Sequence, residues 1–210
     1  VDTLEPSDYP YLPLFASCAG NVGWNGKNWA QCLAEAAVTL GGLGSRLFTT
    51  TCRENAPESP ATGREWMFLS MKFPVENREK AFSLFSESIK NMEFTDAKRI
   101  ENLTAEFRNG IRSSVIPAGN RFALSRARCA LNRAYAIAEI WDGLSQLFTA
   151  EKLIKENPVD LGLKFTAIAR KIFDSGAVLH LTADNESLEK VLPFLSSFSV
   201  NTGLTQLKPK

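Results

Sequence analysis

Histidine occurs once in the 210 residues, at His180. That scarcity excludes a self-contained hydrolytic zinc site, which needs three or four protein ligands and, in the common peptidase motifs, two histidines on one helical turn. It also leaves Ser/His/Asp and Cys/His catalysis dependent on that one imidazole, with no G-x-S-x-G elbow to accompany it. His180 sits at an alternating strand position beside Val178 and Thr182, which suits a structural or solvent-facing side chain. The four cysteines, Cys18, Cys32, Cys52 and Cys129, form no C-x-x-C pair. Three lie among apolar helical or strand neighbours, so they read as free, buried thiols in a reducing compartment, cytoplasm or organelle matrix, with distant disulfides as the other reading. No apolar run approaches the ~20 residues of a membrane span. The start, VDTLEPSDYP, carries neither an initiator Met nor the basic and apolar regions of a signal peptide, and reads as a piece of a longer polypeptide. Net charge is only +1, so no global pull toward nucleic acid or lipid is expected. Sequons stand at Asn102 and Asn185, but nothing else points to secretion.

What is present is a long series of helical patterns with a few strands. The hydrophobic share is 44% and the charged share 22%, a globular composition in a chain long enough for one substantial core. Asp8 is placed to cap a helix from about Pro10, with Leu12, Leu14, Phe15, Cys18 and Ala19 as its apolar stripe. Asn28 is placed to cap a second helix, and Gly41 and Gly42 to end it in a left-handed turn. Residues 43–52 and 64–73 read as two strands around a polar turn at 53–63, an antiparallel pair. Helices are then predicted over 77–91, from Asp96 (capped by Thr95) to about Val115, and over 118–131, 134–142, 145–156 and 158–172. A third strand is expected over 176–183, a last helix over 185–197, and a frayed tail over 201–210. The whole reads as one α+β domain, residues 1–210, a small mostly antiparallel sheet with many helices packed on one face. Three strands are thin for so many helices, and a further N-terminal strand would complete the sheet.

Two stretches invite chemistry. Gly41-Gly42-Leu43-Gly44-Ser45 is glycine-rich, but it follows a helix and precedes a strand and lacks a lysine, the reverse of a phosphate loop. It suits a helix end and a tight strand start. Arg108, Arg112, Arg121, Arg126, Arg128 and Arg133 fall in a stretch with no acid from 107 to 138. They read either as a cationic wall toward substrate carboxylates, phosphates or a partner's acidic face, or as a solvated helix face paired with acids elsewhere in the fold. Carboxylate pairs such as Asp96/Glu101 and Glu151/Glu156 carry no metal-ligand signal and suit surface helices. No catalytic residue and no metal ligand emerges from these patterns.

Taken in order, the segments YPYLPLFASCAGNVG, TLGGLGSRLFTT, FLSMKFPVENREKAFSLFSESIKNMEFTDAKRI, PAGNRFALSRARCALNRAYAIAEIWDGLSQL and SGAVLHLTADNESLEKVLPFL resemble the presequence-protease branch of the pitrilysin/insulinase metallopeptidases. The likeness runs over about residues 9–198. It implies the third of four related α/β units, in the half of the enzyme without zinc. Asn120 stands where that family often has histidine, and no role passes to it. The family's substrate-gripping arginine and tyrosine belong to the fourth unit and are not carried onto Arg126, Arg128 or Tyr135. By resemblance, the zinc motif H-x-x-E-H lies elsewhere in the parent enzyme, and this piece would hold no cofactor. Its partners would be the N-terminal catalytic half of the same enzyme and a peptide substrate, with no membrane. The alternative is a helical binding module that uses the arginine stretch for an acidic protein or, less well supported by the thin aromatic interleaving, nucleic acid. A non-catalytic subunit of a two-chain peptidase is a third reading.

Overall fold

The computed structural model describes residues 1, 3–50 and 64–205. The expected turn at 53–63, Cys52 and the end of the tail, 206–210, lie outside them. Among the described residues the helices are α1 (Leu12–Ala19), α2 (Trp29–Thr39), α3 (Arg78–Lys90), α4 (Ala97–Ser114), α5 (Gly119–Arg128), α6 (Arg133–Asp142), α7 (Leu144–Leu153), α8 (Pro158–Asp174) and α9 (Asn185–Thr202). The strands are β1 (Gly23–Trp24), β2 (Gly42–Thr49), β3 (Glu65–Lys72) and β4 (Met92–Glu93). β2 and β3 form an antiparallel hairpin running from Gly42↔Lys72 to Thr49↔Glu65, and β1 pairs with β4 in a two-residue ladder. This is the α+β layering expected from the sequence.

Alternation sorts the hairpin into two faces. Leu43, Leu47, Met67, Leu69 and Met71 pack inward against the helices, while Arg46, Phe48 and Phe68 lie on the outer face. The main core gathers Leu12, Leu14, Phe15, Ile100, Leu103, Ile137, Trp141, Leu153, Leu161, Phe165 and Ile168 from α1, α4 and α6–α8. Phe15, Phe94 and Phe165 meet at ring centroid distances of 5.6, 5.9 and 5.7 Å. α8 can approach this cluster because Gly162 has no Cβ; one there would collide with the Phe94 carbonyl. A second cluster joins α3 and α9 under the hairpin through Phe82, Phe85, Ile89, Val191 and Phe198.

Local signals were realised unevenly. Asn28 closes a capping box, accepting from Gln31 N–H at 2.9 Å while the Gln31 side chain accepts from Asn28 N–H at 3.1 Å. Asn132, Asn157 and Asp184 cap α6, α8 and α9. Asp8 does not cap α1; a 3₁₀ turn over Tyr9–Tyr11 intervenes, and its carboxylate turns instead to Lys171 at 2.9 Å and Lys164 at 3.6 Å. Asp96, not Thr95, caps α4, because its carboxylate reaches the Arg99 N–H at 2.9 Å. Gly41 and Gly42 make no left-handed cap: Leu40 already turns extended, and the Gly41 N–H donates to the Lys72 carbonyl at 2.8 Å, starting the ladder. The expected third strand is not formed. Residues 176–183 have no ladder partner among the described residues, and their backbone is tied by Ala177 N–H to the Thr205 carbonyl at 2.8 Å. The last helix outruns its expected end, continuing to Thr202 before Gly203 (φ 67°) stops it, so 201–202 are helical rather than frayed.

Candidate functional site

The arginine stretch folds into the α4–α7 layer, and its members meet different fates. Arg108 and Arg112, one turn apart on α4, face Glu151 of α7 at 3.9 and 3.8 Å. Arg121 pairs with Asp142 across α5 and α6. Arg126 approaches the buried Glu139 at 3.9 Å. Arg128 lies over the Tyr135 ring at 4.8 Å. Arg133 binds Glu65 at 2.9 Å and the Tyr9 hydroxyl at 3.1 Å, joining α6 to the start of β3; the Glu65 bond holds its guanidinium pKa above the ordinary value. Each of the six therefore has an acid or a ring beside it, and the acids come from outside the acid-free window or from its edge. Arg112, Arg126 and Arg133 nonetheless keep about two-thirds of their side chains in solvent, 67%, 64% and 66%. Such half-solvated pairs contribute little individually. They leave exposed guanidinium surface for a second contact.

Sequence reasoning missed the buried acids that organise this layer. Glu139 is the first acid after the stretch; it folds back over Gly143, where a Cβ would strike its carboxylate, and accepts from Ser145 N–H at 3.2 Å. Only the Gly143 break between α6 and α7 hinted at this corner. Glu65 gave no signal at all, since it lies at an ordinary strand end.

Beside β2 runs an open cleft of about 650 Å³ between α1, α2 and the strand, lined by Ser17, Gly20, Ala36, Leu40, Gly44 and Ser45 among others. No titratable side chain lines it. Its two serines have no base, and Ser45 Oγ donates to the Ala16 carbonyl. The glycine run, phosphate-loop-like in composition alone, lies here as strand. The cleft can offer shape and main-chain groups, not acid–base or nucleophilic chemistry.

The thiols are inert in the same sense. Burial pushes Cys18 up to about 12, and burial raises Cys32, whose sulfur accepts from the Trp24 N–H at 3.4 Å. Cys18, Cys32 and Cys129 are free; the first two are buried and Cys129 is only partly so. His180 is exposed and lies 2.9 Å from Thr182 Oγ1. Among the described residues no three histidine, cysteine or carboxylate side chains gather as metal ligands, and no helix is long and apolar enough to cross a membrane.

Comparison with known proteins gives this helix-backed hairpin a family. Residues 1–153 match the peptidase-associated family of metallopeptidase family sixteen, subfamily C, and the chain belongs to it. It is similar to the mitochondrial presequence protease of Yarrowia lipolytica, 26% identical over 139 residues, covering 66% of this chain and 14% of the relative. The mitochondrial presequence protease of Aspergillus fumigatus is 25% identical over 148 residues, covering 69% and 14%. An uncharacterized protein of Borreliella burgdorferi is 22% identical over 174 residues, covering 82% and 17%. The chain thus spans less than a fifth of the length of the curated relatives it matches.

Proposed function

We propose that this chain is a non-catalytic chamber-wall domain of a zinc-dependent peptidase that degrades unfolded peptides. The observation that carries the reading is the family match in a chain with a single histidine: a peptidase-associated sequence that cannot supply an H-x-x-E-H motif from its own residues. The zinc, which activates water for amide hydrolysis, would belong to the N-terminal catalytic half of the same enzyme. This domain's part would be shape, size exclusion and closure contact around an enclosed peptide. Its cleft without titratable groups and its inert thiols suit that passive role. Arg108, Arg112, Arg121, Arg126, Arg128 and Arg133 are assigned as contacts to the partner half or to peptide carboxylates, with Arg112 and Arg126 the most available. The free thiols and the mitochondrial names of two relatives support a reducing organelle matrix as the compartment.

The test is charge reversal in the full-length peptidase. Arg112→Glu with Arg126→Glu should raise KM for acidic unfolded peptides several-fold while kcat for a short neutral peptide holds. Unchanged KM for every peptide would remove the arginine assignment. Steeply salt-dependent binding of nucleic acid by the 210-residue chain would favour the binding-module reading instead.

A further inference from the structure

The hairpin ladder stops at β3. Among the described residues no strand pairs with its far edge. In an antiparallel ladder successive residues turn their N–H and C=O alternately toward and away from the neighbour. The Thr50 N–H donates to the Arg64 carbonyl at 3.0 Å, in the same register as Arg46↔Phe68. The even positions of β3 therefore face β2, and Met67, Leu69 and Met71 present their main-chain donors and acceptors outward. Glu65 belongs to the outward set, and its carbonyl accepts from the Val1 amine at 2.9 Å. The first residue of the chain thus lies on this edge, at the end where β3 begins.

Residues 176–183 reach the same region without pairing. Leu181 packs into the cluster that holds Leu69, Met71, Phe82 and Val191. Leu179, two residues earlier and so on the same face of an extended segment, is 50% exposed. One apolar side chain is anchored while its neighbour on that face is left half uncovered, as expected of a strand that lacks its partner. A long unpaired edge next to such a segment is otherwise a liability for the fold.

We infer that the outer edge of β3 is the docking surface for one extended strand, seated between β3 and residues 176–183. The polypeptide leading into Val1 in the full-length protein contributes it. A strand that ends at Val1, beside the first residue of β3, must come from the Lys72 end, so it runs antiparallel to β3. The relatives, of which this chain covers 14–17%, have polypeptide to spare for it. Its alternate side chains would be apolar, covering Leu179 and closing over the α3–α9 cluster, and its backbone would bond Met67, Leu69 and Met71. The inference goes beyond the chamber-wall reading and does not depend on peptidase activity.

Backbone amide hydrogen exchange tests it. The 210-residue chain is compared with one extended upstream, in its natural reading frame, by about 10–15 residues, enough for a strand of ordinary length. The amides of Met67, Leu69 and Met71 should exchange roughly 100-fold more slowly in the extended chain, with Ile100 and Leu103 in α4 unchanged. A proline placed in the extension opposite Leu69 should restore fast exchange. Equal rates in the two chains would overturn the inference, as would slowing spread evenly over α4. Protection in the 210-residue chain that grows with protein concentration would assign the edge to a second copy and overturn it as well.

Discussion

Phe165 and Phe48 are the same residue type in the same chain, treated in opposite ways. Phe165 is fully buried, held by Phe15 and Phe94 beneath α8. Phe48 projects from the outer face of β2, 51% exposed, against Phe68 at 6.2 Å, whose ring carries Arg46 at 5.1 Å. The helical side of the molecule closes on itself, with its apolar groups covered and its arginines beside acids or rings. The sheet side stays open on its outer face and at the far edge of β3. The contrast separates what makes this domain fold from what it has to offer a larger assembly.

Replacing Phe165 with Ala should have the largest effect, a loss of about 3–5 kcal/mol in urea unfolding, since three rings share one cavity there. A loss below about 1 kcal/mol would mean the helical side is not the stabilising one. Next comes Gly162→Ala. The new methyl would meet the Phe94 carbonyl, and we expect about 1–3 kcal/mol of destabilisation by the same measurement. Glu65→Ala should cost a comparable amount or less, because Val1 and Arg133 meet at this buried residue; Arg133 is itself two-thirds exposed, which holds the loss to roughly 1–2 kcal/mol. Asn28→Ala should remove about 1 kcal/mol by opening the capping box on α2. Phe48→Ala should change stability by no more than about 0.5 kcal/mol, and a larger loss would show the outer face to be covered in solution.

Acid titration sharpens the same contrast. Burial pushes the Asp8 carboxyl up, but the hydrogen bond and charge of Lys171 and the charge of Lys164 outweigh it, and the net shift is downward. A depressed folded value means that Asp8 stabilises above its unfolded range and that this contribution disappears as pH falls through the folded value. Asp8→Asn should therefore flatten the acid limb of a stability–pH curve and leave the neutral-to-alkaline limb unchanged in shape.

The helices were legible because their signals are local. The stripe Leu12, Leu14, Phe15 and Cys18, the Asn28 cap and the Asn157-Pro158 start of α8 each lie within a turn of what they specify. The hairpin was legible from alternation at Trp66 to Phe73. Asp8 misled because the capping pattern cannot show a lysine 163 positions away competing for the carboxylate. Residues 176–183 misled because β-type composition states a preference while a strand needs a neighbour. Gly41 and Gly42 carry the pattern of helix punctuation, but the neighbouring strand claims the Gly41 N–H. The arginine stretch was visible as an anomaly of charge, yet Glu65, Glu139 and Glu151, the acids that face it, come from one residue at a strand start and two on later helices. No local pattern could have named them.

The most direct test of the central claim is hydrolysis of a fluorogenic unfolded peptide by the purified 210-residue chain with zinc supplied. The rate should equal that of zinc in buffer alone, because the water-activating metal belongs to another part of the enzyme. Cleavage above that background, abolished by a chelator and restored by zinc, would contradict the assignment of this domain as a wall rather than a catalyst.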